Sequence, residues 1–478
     1  MTLQPWIGME VHVHLATDSK MFCACSTKFG APPNSNCCPV CLGMPGALPV
    51  PNRKAVELVI RTASALGCKV AERTRFARKN YFYPDMVKNF QISQYDEPLT
   101  FEGQVDLVVD GEPVTIGITR AHLEEDTGKN LHMPDGSSLV DYNRSGMPLM
   151  EIVTEPDFRS AAQCQEYLIR LRQMLRCIGV SSANMDEGAM RCEPTVNVVD
   201  TESDFATPRV EIKNLNSIKS VYDAVNYEIA RQLKAIEDDT TDELFQQTRR
   251  WDEEHGVTAL MRRKESSDDY MYFPEPDLVP MEPEAEWVEA IFAACPELPQ
   301  ARETRFREQY DLPEYDAGVL TETSELADYF EATCAASGGE PKIVSNWVMG
   351  DLMSLLKEAE TPVEDSPVSS AALAEMLGLI EDGSISGKIA KDVLAAMFET
   401  GKSAGEIVEE QGFKQISDSG ELEGIIAGII ADNPGPVGDF RAGKEKALGF
   451  LVGQIMKATK GQANPQMVND LLREKLSE

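Results

Sequence analysis

No run of eighteen or more apolar residues occurs in this chain, which excludes a membrane-spanning helix. The opening residues, Met1-Thr2-Leu3-Gln4-Pro5, lack the basic start and apolar stretch of a secretory signal, so a cytoplasmic location with no membrane partner is expected. Basic residues are scarce: 45 Lys and Arg stand against 79 Asp and Glu, for a net charge of −34. That deficit argues against a chain-wide nucleic-acid surface, because phosphate contacts need clustered cations. It does not exclude a local one. From Gly438 to Glu478 the basic residues outnumber the acidic ones. Internal repeats and low-complexity tracts are also missing, so neither a solenoid nor a long disordered segment is expected.

What is present is concentrated near the start. Trp6 to Leu15 alternates with period two, placing Glu10, His12 and His14 on one face and Ile7, Met9, Val11, Val13 and Leu15 on the other. The pattern predicts a β-strand with a buried apolar face and a face of metal-ligand chemistry. Cys23-x-Cys25 and Cys38-Pro39-Val40-Cys41 follow, with the spacing of a four-thiolate zinc site. A closed four-cysteine set leaves no open coordination position, so such a zinc is structural. Cys37 is a spare thiol beside the set, and the remaining cysteines are scattered singly, as expected of a reducing compartment. Incidental buried thiols are the plainer alternative.

Two later segments add carboxylates: Arg120-Ala121-His122-Leu123-Glu124-Glu125-Asp126, and Met150 to Asp157. Glu151 stands among Pro148, Leu149, Ile152 and Val153, where an isolated charge is costly, so a partner or a metal is expected. Carboxylates with one imidazole suit Mg²⁺ or Mn²⁺, and Mg²⁺ commonly accompanies phosphates. A solvated acidic surface is the alternative for any one glutamate. Gly438 to Lys444 matches G-x-x-x-x-G-K, but Glu445 replaces the Mg²⁺-binding Ser or Thr and no strand precedes it, so it is no Walker loop. The basic and aromatic segment Arg75 to Asp85 suits either phosphates and a stacked base or an ordinary strand edge.

The texture of the chain predicts an α+β protein. A mixed α/β cradle domain over 1–292 carries the four-cysteine set, a helical domain spans 293–403, and a small helical tail domain spans 404–478. Ser160-Ala161-Ala162-Gln163 resembles a capping box opening a helix through Leu168, Leu171, Leu175 and Ile178. Ile218, Val221, Val225, Ile229, Leu233 and Ile236 mark a second helix. The proline- and acid-rich stretch from Phe273 to Pro283 is the expected exit from the first domain.

Taken in order, several long segments resemble the B subunit of the glutamyl-/aspartyl-tRNA amidotransferase (the GatB family), over nearly the whole chain. They include Ile7–His12, Arg78–Asp85, Gln91–Tyr95, His122–Lys129 and Asp141–Gly146 running on through Glu155-Pro156-Asp157. Glu211–Ser217, Tyr272–Leu278, Gly449–Lys457 and Lys460–Pro465 complete the set. The resemblance implies ATP- and Mg²⁺-dependent activation of the side-chain carboxylate of misacylated Glu-tRNA or Asp-tRNA. Ammonia from the amidase subunit (A), in a heterotrimer with the small subunit (C), then forms Gln-tRNA or Asn-tRNA. It implies a Mg²⁺ shell of Glu10, His12, Glu125 and Glu151, and it places Lys79 and Lys88 near the ammonia exit. Cys23, Cys25, Cys38 and Cys41 match the zinc-binding version of the family. Lys444, Lys446, Lys457 and Lys460 flank an apolar helical stripe and are expected to meet tRNA phosphates. Two positions depart from the family pattern: Met271, where arginine is expected, and His14, where glutamine is common. A scaffold that holds tRNA and the amidase without phosphoryl transfer is the alternative reading.

Overall fold

The computed structural model describes residues 2–263, 270–411, 419–441, 444–459, 463 and 465–477. The chain divides into two compact units, 1–298 and 299–478. The first is built on a nine-stranded sheet in the order Val257–Arg263, Gln247–Asp252, Val210–Lys213, Met190–Asp200, Leu3–His14, Pro148–Thr154, Glu112–Glu125, Thr100–Val109 and Lys69–Val70. All neighbours run antiparallel except Val210–Lys213 with Gln247–Asp252. Leu3–His14 and Met190–Asp200 alternate buried and partly exposed residues, as a sheet with one packed face requires.

The helices Arg53–Ala65, Ala161–Cys177 and Ile218–Glu237 pack on the apolar face. Ser160 caps the second of these by accepting from the Gln163 amide, while Gln163 reaches back to the Arg159 amide rather than to that of Ser160. The third helix departs from its expected stripe: Glu228 and Gln232 are buried where Ile229 and Leu233 are only half-buried. Glu228 is tolerated there because Arg231 and the Gln232 amide hydrogen-bond to it.

A bulge sets the phase of Glu112–Glu125. Ile118 pairs with Thr154 and Arg120 with Val153, leaving Thr119 as the extra residue. Before it, Ile116 and Ile118 enter the core; after it, Ala121 and Leu123 do. The even-numbered residues Arg120, His122 and Glu124 are thereby moved to the opposite face.

A second sheet of three strands, Met271–Pro274, Ala77–Asn80 and Phe90–Ser93, stands beside this face. The segment from Arg75 to Asp85 therefore contributes a central strand. The stretch from Phe273 to Pro283 is no exit: Glu275 accepts a two-pronged hydrogen bond from Arg78, and the chain continues into Ala285–Ala293 within the same unit. Between His14 and Arg53 the chain forms no helix or strand, only an isolated bridge of Ser19 with Ser26.

Among the described residues of the second unit every regular element is a helix. One core gathers Phe306, Phe330, Val348, Leu373, Val393 and Leu394, and also takes Ile407 and Val408 from the Ala404–Gln411 helix. Another gathers Leu422, Ile426, Leu451, Ile455, Val468 and Leu472. Gly338 and Gly401 end their helices in the left-handed conformation, which a side chain would resist. Residues Gly438 to Arg441 lie in the Pro434–Arg441 helix, not in a phosphate-binding loop.

Candidate active site

The strand register assembles the site. Arg191 faces His12, His12 faces Glu151, and Glu151 faces His122, a cross-strand row over four strands. His12 Nε2 lies 3.4 Å from Glu151 Oε2, and His122 Nε2 lies 3.8 Å from the same oxygen and 3.4 Å from Glu124 Oε1. His12, Glu124 and Glu151 each offer a ligand atom within 4.8 Å of the others. Glu124 is fixed by Ser93 Oγ at 2.6 Å and Gln91 Nε2 at 3.1 Å, both donating from the three-stranded sheet. Glu10 stands with Glu193 and Glu211 in an adjoining cluster, where Lys213 bridges the latter two. These groups, with Lys79, Tyr95, Tyr270 and Tyr272, line one cleft of about 440 Å³.

The cleft is strongly charged. Burial and the carboxylates of Glu151 and Glu193 raise Glu10 to about 7. Burial opposes an imidazolium at His12, but Glu151, Glu193 and Glu124 outweigh it and raise the ring to about 9. Burial likewise works against Glu124 and Glu151, yet the histidines and Lys79 hold both below the usual carboxylate range. Lys79, half-buried on Ala77–Asn80, is held charged by Glu124 and Glu151 against the effect of desolvation and lies 4.9 Å from the Tyr270 ring centroid. The donor set fits Mg²⁺: oxygens at about 2.1 Å from an octahedral ion lie roughly 3 Å apart when adjacent and 4.2 Å apart when opposite.

Glu125 departs from its expected place. Successive side chains of a strand point to opposite sides, so when Glu124 enters the cleft Glu125 leaves it. Its carboxylate accepts from Lys88 Nζ and from the Ile92 amide at 3.0 Å. It lines a separate cleft with Lys88, Phe22, Cys41 and Arg78. Lys79 and Lys88 therefore face different clefts. The sequence reading did not single out Arg120 or separate Glu124 from Glu125, which only the register through the bulge does, and it left out Glu193 and Glu211, whose local signal is alternation with buried Cys192 and Ile212 on their own strands.

The Sγ atoms of Cys23, Cys25, Cys38 and Cys41 lie within 4.8 Å of one another. The Cys38 and Cys41 sulfurs are 3.9 Å apart, against about 3.8 Å for the edge of a zinc–thiolate tetrahedron with bonds of 2.3 Å. The Cys38 amide donates to Cys41 Sγ at 3.2 Å. A hydrogen bond from Cys23, with help from that amide and from Lys20, pulls Cys41 down to about 4 against the effect of burial. Cys37 stands apart, 3.9 Å from Asn143 Oδ1.

Lys20 is fully buried, with Nζ 2.8 Å from the Asn36 carbonyl, 3.3 Å from that of Tyr142 and 3.7 Å from Cys41 Sγ. A zinc ion held by four thiolates would carry net negative charge, and this ammonium would offset part of it. Lys20→Met is expected to weaken zinc binding by about 10- to 100-fold in chelator competition, the usual cost of losing such a supporting group. Unchanged affinity would show that Lys20 serves packing alone.

Residues 5–289 match the family described as the GatB/GatE catalytic domain, and residues 328–476 match the GatB domain. Over 477 residues the chain is 50% identical to the B subunit of the aspartyl/glutamyl-tRNA(Asn/Gln) amidotransferase of Caldanaerobacter subterraneus subsp. tengcongensis, covering 100% of both chains. It is 52% identical to the protein of that name from Carboxydothermus hydrogenoformans, covering 98% of each. The one from Moorella thermoacetica is 51% identical, covering 100% of each.

The chain belongs to this GatB family. The family name denotes a ligase that forms an amide on aminoacyl-tRNA. Against the family pattern, His14 shares a 2.6 Å hydrogen bond with Asp126, which Arg191 also contacts at 2.7 Å. Met271 is 73% exposed at the start of Met271–Pro274, and its carbonyl accepts from Asn80. In the tail, Lys446 and Lys457 are exposed at the two ends of the Lys446–Ala458 helix, and Lys444 pairs with Asp439 at 3.0 Å. Lys460 lies outside the described residues. Among the described residues no helix is long and apolar enough to cross a membrane.

Proposed function

We propose that this chain activates the side-chain carboxylate of glutamate or aspartate carried on tRNA, at the expense of ATP, and passes it to ammonia to form Gln-tRNA(Gln) or Asn-tRNA(Asn). The observation that carries the reading is the convergence of His12, Glu124, Glu151 and Lys79 in one cleft of a chain from the GatB family. Magnesium held by His12, Glu124 and Glu151, with Glu10 alongside, would supply charge neutralisation for phosphate oxygens.

A carboxylate is a poor electrophile. Transfer of the ATP terminal phosphoryl group to its oxygen, releasing ADP, turns that oxygen into a leaving group. Attack by ammonia then breaks the carbon–oxygen bond, with loss of phosphate and a proton. Phosphoryl transfer needs positioning and electrostatics more than covalent help. Lys79, desolvated and held charged, neutralises negative charge developing in the cleft, and Ser93 and Gln91 keep Glu124 from rotating away. The partners are an amidase that releases ammonia and a small third subunit. Lys88 belongs to the second cleft, which we assign to the ammonia route. The tail lysines Lys444, Lys446 and Lys457 contribute sequence-independent contacts to the tRNA body.

The test uses this chain assembled with both partners and supplied with ammonium, so that glutamine hydrolysis is bypassed. ADP release that requires Glu-tRNA or Asp-tRNA, with one amide formed per ADP, is the expected result and names the substrate. Tight tRNA binding without ADP release would reduce the chain to a scaffold.

A further inference from the structure

We infer that Arg120 grips phosphate oxygens of a substrate bound in the cleft of His12, Glu124 and Glu151, an assignment that rests on the function proposed above. Arg120 shares its strand face with His122 and Glu124 and lines the same cleft. The bulge at Thr119 is what brings it there. The neighbouring cations are engaged: Lys213 with Glu193 and Glu211, Arg191 with Asp126, and Lys79 with the field of Glu124 and Glu151. Arg120 is different. Among the described residues its side chain has no hydrogen bond or ion pair, and its Nε is shut off from water.

One step along the same face, His122 is 1% exposed, and its Nδ1 is also buried without a partner. Two unsatisfied polar atoms at adjacent positions of one cleft wall call for a ligand, because buried donors are almost always paired in native proteins. The ligand is an anion with several acceptor oxygens. A guanidinium offers a planar fork of donors that matches two phosphate oxygens. In a chain of net charge −34, a cation left without a carboxylate partner beside so many carboxylates is unusual. At about 3.4 Å per residue, Arg120 sits roughly 7 Å along the strand from His122. That places it beside the metal-ligand cluster and not on it. Two substrates carry such oxygens: the triphosphate of ATP and the phosphodiester at the 3′ end of aminoacyl-tRNA.

The experiment compares Arg120→Gln with wild type in the complete complex. The expected result is a dissociation constant for a non-hydrolysable ATP analogue raised by about 10- to 100-fold, the loss that follows removal of a charge-assisted contact. The KM for ATP rises in parallel, while kcat changes less. If the analogue binds as before and the dissociation constant of Glu-tRNA rises instead, the phosphate held is that of the tRNA. A folded variant in which neither constant moves overturns the assignment. Should Arg120→Gln not assemble, Arg120→Lys keeps the charge but not the fork; a smaller rise in the same constant is expected, and none would overturn the assignment. A wild-type complex that neither binds the analogue nor releases ADP overturns the kinase reading and Arg120's role with it. Wild-type activity matched by Arg120→Gln overturns only the latter.

Discussion

On the proposed function, Glu124→Gln is expected to lower ADP release on aminoacyl-tRNA by roughly 100- to 1,000-fold, because it would remove a charged ligand of the magnesium and with it several kcal/mol of transition-state stabilisation. Glutamine keeps the volume of the side chain; its one oxygen can still accept from Gln91 while its NH2 donates to the Ser93 hydroxyl, so the loss reports chiefly on the negative charge. Glu125→Gln separates the neighbouring carboxylate from this role. It leaves the largely buried Lys88 ammonium without its charged partner. The change reads out as a loss of stability of about 3 kcal/mol, since breaking a buried pair is far more damaging than lacking one. Both variants are compared by ADP release per folded complex and by melting temperature. If Glu125→Gln lost ADP release while Glu124→Gln retained it, the assignment of the two glutamates would be reversed.

The second large effect concerns the thiolates. The whole stretch from His14 to Arg53 lacks helices and strands, and chains of that length without regular structure inside a compact unit need a staple. Removing zinc with a chelator, or making Cys41→Ser, is expected to destabilise the first unit by upwards of about 4 kcal/mol, because metal binding and folding are linked. Protein as purified should release one zinc per chain when its thiols are titrated, and the melting temperature should fall with that release. Cys37→Ser is the control, since its sulfur stands outside the set. A zinc-free chain with an unaltered melting temperature would refute the structural role.

Much of this was legible beforehand, for identifiable reasons. The first strand was readable because its two faces differ sharply in chemistry, and period-two alternation survives any tertiary context. The thiolate set was readable because its spacing is local. The helix opened by Ser160 was readable because a cap satisfies backbone groups within one turn. What failed depended on contacts far apart in sequence. Glu124 could not be told from Glu125 without the bulge at Thr119, which is defined only by pairing with Val153 and Thr154. The proline-rich stretch after Phe273 reads as the exit from the first domain, because nothing local reveals that Glu275 is locked to Arg78. The apolar stripe of Ile218–Glu237 was misjudged where Glu228 and Gln232 replace hydrophobic contacts with hydrogen bonds.

The same bulge makes the length of one short segment a hidden part of the active site. From Asp110-Gly111, where both residues take the left-handed conformation of a tight turn, to Thr119, the strand counts in one phase; from Arg120 onward it counts in the other. Residues added at the turn would lengthen the hairpin without disturbing that count. Deleting Thr119 alone would restore a single rhythm. Ile118 against Thr154 and Arg120 against Val153 would then follow directly, with Ile118, Ala121 and Leu123 still on the core face and Glu124 still in the cleft; removing a residue between Arg120 and Glu124 would instead carry Glu124 out of the cleft or turn Arg120 into the core. Losing one residue between Arg120 and Glu124 should therefore cost far more than losing Thr119: the chain at this point encodes chemistry by number of residues rather than by their kind.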